Sequence, residues 1–289
     1  MTDADALFAP LAADAVPAVA RLAARCLAAD GGLPLAAGEG FTARRYAAEG
    51  GLAIGAYGPD GTLLAAAAIR PTGSTVTGTA LVDPAARGRG LGAAALDWCL
   101  GGADVIETES LTGGAAALFA DRGLTMSFAE DVMRHDLKEI PDVPLPAGVS
   151  LAGWAPDTVS RFHAVYRAAF AERPGFPDWD QQQWTAWLVD DDFRPPWSLL
   201  AVDASGADLG FVACGDGWLV QVGTTPAARG RGVGAALTTA ALRAAAADGA
   251  SEMLLDVNVD NPVAAELYRR LGFTVLGRRA RFTRPASAG

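Results

Sequence analysis

The chain carries one strand-breaking, glycine-rich segment twice, and any fold it adopts has to use that segment in two equivalent places. Asp83-Pro84-Ala85-Ala86-Arg87-Gly88-Arg89-Gly90-Leu91-Gly92 and Thr225-Pro226-Ala227-Ala228-Arg229-Gly230-Arg231-Gly232-Val233-Gly234 share one register. Each follows a stretch of strand character (Thr75 to Val82; Leu219 to Thr224) and runs into an alanine-rich helical stretch (Gly90 to Leu100; Gly232 to Asp248). Proline ends the strand because it has no N–H for the ladder, and glycines lacking Cβ let the backbone curl. Successive N–H groups and the positive end of the following helix then converge on one point, a site for an anion such as a pyrophosphate. Neither copy ends in Gly-Lys-Ser/Thr and neither follows the first strand of a βαβ unit, so the other common phosphate loops do not fit.

The repetition extends beyond the loop. Each half opens with a short strand (Ala6 to Leu11; Val149 to Trp154), then a helix with an acid at its start (Asp14 to Ala29; Asp157 to Ala171), then a second helix. A three-strand meander follows: Leu52 to Tyr57, Leu63 to Arg70 and Thr75 to Val82, then Ser198 to Val202, Leu209 to Cys214 and Leu219 to Thr224. Asp60-Gly61 and Ser205-Gly206 supply turns. After the loop helix, a strand, a short helix and a closing pair of strands are expected. Between the halves, Pro141, Pro144 and Pro146 exclude helix and central strand from Lys138 to Ser150, which places two domains at 1–140 and 148–289. The fold class is α+β: two similar domains in tandem, each a mixed, mostly antiparallel sheet flanked by helices.

Charge and composition narrow the partners. With 23 Lys+Arg against 33 Asp+Glu the net charge is −10, so the broad attraction to nucleic acid or anionic lipid is missing. The balance is −8 up to residue 144 and −2 beyond it, which makes the C-terminal half the better host for a polyanion. Apolar runs such as Leu63 to Ile69 stop far short of the ~20 residues of a membrane span. Met1-Thr2-Asp3-Ala4-Asp5 carries acid where a secretory signal carries base, so cytoplasm is expected. Cys26, Cys99 and Cys214 lack metal or redox spacing and read as buried thiols, and His135 and His163 have no metal-spaced partner. No metal is expected.

At the loops the sequence resembles the GNAT superfamily of acyl-CoA N-acyltransferases, whose acyl-CoA loop has the form Arg/Gln-x-x-Gly-x-Gly/Ala. Arg229, Gly232 and Gly234 match it, as do Arg87, Gly90 and Gly92. A second family motif, Asn-x-x-Ala-x-x-Leu-Tyr running into Leu-Gly-Phe, is matched by Asn261, Ala264, Leu267, Tyr268, Leu271, Gly272 and Phe273. The resemblance implies direct attack of an amine on the acetyl-CoA thioester, with Tyr268 protonating the departing thiolate. It also implies a pantetheine arm paired with Val222, Gly223 and Thr224, and in the first half with Leu81 and Val82. The pyrophosphate would lie on Arg229, Gly230, Arg231, Gly232, Val233 and Gly234, and on Arg87, Gly88, Arg89, Gly90 and Gly92. Asn261 would touch the pantetheine or cap its helix. The first half departs from the motif, with Phe119 where Tyr268 stands and Thr112 where Asn261 stands. That half is expected to bind acyl-CoA without turning it over, giving one acyl-CoA per domain, or to serve as scaffold.

The general base is open. Tandem relatives place a glutamate where Trp218 stands; Asp216, on the same face if the strand reaches it, and Asp256 on the next strand are the candidates, and an amine of modest pKa can also do without a dedicated base. Trp184 and Trp187 are three apart on a helix and read as a core stripe, while Trp179, in a proline-held loop, and Trp218 are candidate acceptor contacts. The expected reaction is N-acetylation of a small primary amine by acetyl-CoA. The alternatives are a non-catalytic acyl-CoA sensor or an enzyme using another acyl-CoA, and the pattern does not choose between monomer and homodimer.

Overall fold

The computed structural model describes residues 8–173 and 175–285. The first half supplies β1 (Phe8–Pro10), α1 (Val16–Asp30), α2 (Glu39–Tyr46), β2 (Leu52–Tyr57), β3 (Leu63–Thr72), β4 (Thr75–Val82), α3 (Leu91–Leu100), β5 (Val105–Thr108), α4 (Gly113–Ala120) and β6 (Thr125–His135). The second supplies β7 (Ser150–Gly153), α5 (Val159–Phe170), α6 (Gln181–Leu188), β8 (Leu199–Val202), β9 (Asp208–Gly215), β10 (Trp218–Thr224), α7 (Val233–Ala247), β11 (Met253–Asn258), α8 (Pro262–Arg270) and β12 (Thr274–Thr283). The class is α+β, with mixed sheet and flanking helices. One long strand closes each half, β6 and β12, where a pair was expected. Asp14 and Asp157 do not cap: α1 starts after Ala15 and α5 after Thr158, neither with a side-chain cap.

The contacts group the chain into two units that are not continuous in sequence. One holds the residues up to Val132, Val257–Asp260 and those from Val275 on; the other holds Met133–Asp256 and Asn261–Thr274. A division at 1–140 and 148–289 therefore misses an exchange: the last strand of the chain belongs with the first half. In the first unit the strand order is β1-β2-β3-β4-β5-β12-β6, and Phe282 of β12 pairs with Ile106 of β5. Gly31 makes room for this strand. Its φ of 70° suits glycine, and a Cβ there would fall 1.7 Å from the Leu276 carbonyl oxygen.

Strand β3 explains how this unit is layered. Ala66 and Ala68 pack with Val19, Leu22 and Tyr46 under α1 and α2, whereas Ala67 packs with Leu96, Cys99, Phe119 and Phe282 on the other face. Successive strand residues point to opposite faces, so the Leu63-Leu64-Ala65-Ala66-Ala67-Ala68-Ile69 run is the signature of a strand covered on both sides. In the second unit β11-β10-β9-β8-β7 lie in that order, and an aromatic core of Phe162, Tyr166, Trp184 and Phe211 binds α5 and α6 to β9. No helix among the described residues is long and apolar enough to cross a membrane.

Candidate active site and its N-terminal counterpart

Both glycine loops adopt the conformation their sequence requires. Gly88 and Gly90 have φ of 76° and 85°, and Gly230 and Gly232 have 75° and 81°. Gly90 and Gly232 are the N-caps of α3 and α7, in the left-handed region that lets the chain enter the helix directly after a tight turn. In both loops the initial arginine is held by an acid at the end of the preceding long helix. Arg87 forks onto Asp30, with Nη1 2.8 Å from Oδ1. Arg229 Nη1 donates to Glu172 at 2.9 Å, and Nη2 to the Ala169 carbonyl. Glu172 follows Asp30 by 142 residues, the spacing that also separates Arg229 from Arg87. Sequence reading missed these acids; an acid recurring at the loop's own spacing is the signal that finds them. Arg89 and Arg231 are exposed.

The strands beside the loops diverge, which opens a slot. β4 runs parallel to β5 with pairs from Thr77↔Val105 to Thr79↔Glu107, leaving Ala80, Leu81 and Val82 beyond the pairing. β10 pairs with β11 at Trp218↔Leu254, leaving Val222, Gly223 and Thr224 beyond. An extended ligand can add to such an edge as another strand. Gly92 and Gly234, in the first turns of α3 and α7, border the slots. A Cβ at Gly234 would sit 3.6 Å from Thr224 and 3.8 Å from Leu267, and at Gly92 3.7 Å from Leu118.

One difference lies in the strand itself. β10 shifts register against β9 between Leu219 and Gln221, a bulge at Val220, whereas β4 pairs with β3 without a shift from Ala65↔Val82 to Thr72↔Thr75. A bulge re-aims the backbone groups beside it.

On the short helix after the slot, Thr112 and Asn261 are both N-caps, accepting from Ala115 N and Ala264 N. The Asn261 side chain thus caps α8 at 3.2 Å. Tyr268 is half-buried and meets Phe273 edge-on, with centroids 5.7 Å apart. Burial pushes its phenol up to about 12. Phe119, its counterpart, is buried against Phe282 at 4.7 Å.

The expected base does not lie on the strand. β10 begins at Trp218, so Asp216 falls in the turn after β9, exposed and ion-paired with Arg194 at 3.1 Å. It shares no strand face with Trp218, which stands at the end of β10 remote from the loop. Asp256 lies on β11. Trp184 is wholly buried, donates from Nε1 to Gln221 at 3.0 Å and stacks on Tyr166 at 5.2 Å, which is a core role. Trp187 is exposed and meets Trp179 at 5.5 Å. The Trp179 carbonyl lies 2.9 Å from His163 Nε2, and His135 Nδ1 accepts from Leu137 N. All three cysteines are buried free thiols. Among the described residues no group of His, Cys, Asp and Glu is placed to hold a metal.

The N-terminal unit contains a cavity of about 450 Å³ reaching from Arg87, Gly88, Gly90 and Gly92 past Ala80, Leu81 and Val82 to Phe41, Tyr46, Glu107 and Glu109. Four charges meet at its far end. Arg45 Nη2 lies 2.6 Å from Glu109 Oε1, Arg45 Nε 3.1 Å from Glu107 Oε1, and Arg70 Nη2 2.7 Å from the same Glu107 oxygen. The Arg45 guanidinium stacks on the Phe41 ring at 3.6 Å. Sequence reading missed this cluster because its members are scattered over α2, β3 and β5 with the segment just after it.

Residues 161–273 match the acetyltransferase (GNAT) family. The chain belongs to that family and is an acyl-CoA-dependent N-acetyltransferase. Within it, the chain is 31% identical over 298 residues to a mycothiol acetyltransferase of Nocardioides sp., covering 91% of this chain and 95% of that one. It is 39% identical over 147 residues to the mycothiol acetyltransferase of Arthrobacter sp., a match spanning 47% of this chain and about half, 46%, of that protein. A GCN5-related N-acetyltransferase from Sphaerobacter thermophilus has the same fold, with a TM-score of 0.74 at 24% identity over 99% of this chain and 98% of that one.

Proposed function

We propose that the C-terminal unit transfers acetyl from acetyl-CoA to a primary amine of a small molecule, with Tyr268 as the general acid. The observation that carries this is the conjunction of the glycine loop at Gly230–Gly234, the bulged β10 and Tyr268 within one unit. The pyrophosphate lies on the N–H groups of Gly230 to Gly234, where the start of α7 favours negative charge. The pantetheine arm follows Val222, Gly223 and Thr224, and a backbone N–H beside the bulge polarises the thioester carbonyl. The amine attacks the carbonyl carbon, the C–S bond breaks, and the sulfur takes the Tyr268 proton. A phenol shifted upward stays protonated through the neutral range and is the weaker acid, so much of its contribution is a hydrogen bond that stabilises the developing thiolate as the proton moves.

Proton removal from the amine is assigned to Asp256 in place of Asp216, whose carboxylate is exposed and engaged by Arg194. Asp256 stands on β11 where Glu107, which lines the N-terminal cavity, stands on β5. Trp179 and the exposed Trp187 border the acceptor. The shared name of the relatives makes mycothiol chemistry the first acceptor class to test. The N-terminal unit binds a second acyl-CoA and does not turn it over, because Phe119 has no proton to give.

The test is thiol release from acetyl-CoA with a panel of small amines. Dependence on both amine and Tyr268 supports the reading. Acetyl transfer at wild-type rate by Tyr268→Phe overturns the assignment of the acid, and no transfer to any amine despite coenzyme binding would favour a sensor.

A further inference from the structure

The N-terminal cavity carries a phenol of its own, delivered from the other side of the slot. Tyr46 ends α2, is nine-tenths buried and lines the cavity. In the repeat it stands where α6 has Leu188, so the C-terminal unit has no equivalent hydroxyl. The Tyr46 hydroxyl lies beside Thr79 without an aligned hydrogen bond, and it is buried without a partner. Thr79 is the last residue of β4 paired with β5 before the strands part, where an arm laid back along Val82, Leu81 and Ala80 from the glycine loop would end. Arg45 Nε, 3.1 Å from Glu107 Oε1, is ion-paired there but makes no aligned hydrogen bond.

Unpartnered buried polar atoms are rare, and a buried hydroxyl without a partner on a cavity wall calls for an acceptor oxygen. The charge balance specifies its kind. Arg45 and Arg70 are matched by Glu107 and Glu109, so a carboxylate would bring an uncompensated charge into a part-buried site, whereas a carbonyl oxygen would not. Glu107 is engaged by two arginines, and Phe119 has no proton to give.

We propose that Tyr46 and Thr79 bind the acyl carbonyl of an acyl-CoA thioester in the N-terminal unit, so that this site prefers acyl-CoA to free CoA and keeps the thioester intact. The proposal rests on the reading that this unit binds the coenzyme at its glycine loop. The experiment is calorimetric titration of acetyl-CoA and of CoA into Gly234→Trp protein, in which the C-terminal slot is filled. Acetyl-CoA is expected to bind about 3- to 10-fold more tightly than CoA, the value of one hydrogen bond. Tyr46→Phe, which removes only the hydroxyl, is expected to abolish that preference while leaving CoA affinity unchanged. Equal affinities before the substitution, an equal loss for both ligands after it, or release of free thiol from bound acetyl-CoA overturns the proposal. Binding that disappears altogether in Gly234→Trp, or that persists when Gly92→Trp is added, sinks the coenzyme reading of the unit itself.

Discussion

The two slots share a corner and differ in everything around it. Each has Pro-Ala-Ala-Arg-Gly-Arg-Gly, a left-handed glycine as helix N-cap, an acid on the loop arginine, and strands that part beside the loop. At the C-terminal slot the strand is bulged, the phenol comes from α8, and the space under α5 and α6 is filled by Tyr166, Phe170 and Trp184. At the N-terminal slot the strand is regular, the phenol comes from α2, and a cavity opens onto paired arginines and glutamates. The anion-binding corner depends on a few backbone N–H groups that any sequence keeping its glycines retains. The chemistry depends on side chains from separate elements, which can change independently. A conserved-looking loop therefore reports a ligand and not a reaction.

The sharpest way to break this comparison is to exchange the phenols. Tyr268→Phe is expected to lower kcat by about 10²- to 10⁴-fold, the usual contribution of a general acid, while Phe119→Tyr leaves it unchanged. Single-turnover thiol release measures both, and activity gained by Phe119→Tyr would show that the halves differ by one residue only. Gly234→Trp is expected to cost roughly 100-fold or more in kcat/KM by filling the slot, whereas Gly92→Trp removes one calorimetric binding event and leaves turnover in place. If Gly92→Trp silences the enzyme, the N-terminal slot takes part in the reaction.

Smaller effects test the loops. Asp30 is largely buried beneath Arg87, whereas Glu172 is exposed beside Arg229. Asp30→Ala is expected to lower unfolding free energy by about 1–2 kcal/mol and Glu172→Ala by under ~0.5 kcal/mol, by urea denaturation. Equal losses would mean that the two loops are held equally. The least change is expected in the pH profile. Tyr268, with its pKa raised to about 12 by burial, is in its acid form below that value and loses it only as pH rises through it. A descending limb of kcat between about pH 8 and 10 that vanishes in Tyr268→Phe would contradict this environment.

Much of this was legible in residue order. The meander, the loop corners and the helix carrying Tyr268 have local causes: proline stops, glycine turns, and a polar N-cap before an apolar face. β2 and β4 have the bounds read from the sequence. The bulge at Val220 has no local mark, since Val and Gln suit a regular strand equally well. Asp216 failed as a strand residue because Gly215-Asp216-Gly217 makes a turn, and Gly217 takes a φ of 67°. The cluster of Arg45, Arg70, Glu107 and Glu109 was hidden because each charge looks solvated within its own element and becomes part-buried only when α2, β3 and β5 meet. Strand exchange was hidden for a related reason: a strand-forming stretch at the end of the chain does not say whose neighbour it is.

That exchange has a consequence for how the protein is made. Thr108 finds its strand partner only once Ala280 has left the ribosome, because β12 pairs with β5. The first unit therefore waits, with strand edges unpaired, through synthesis of the whole second half. Unpaired edges template aggregation, and contacts so distant in sequence close slowly. A chain stopped after Val149 is expected to be insoluble, and a soluble, cooperatively melting fragment would disprove this. The exchange makes the two halves a single unit: the first cannot be expressed alone without losing a strand that the far end of the chain supplies.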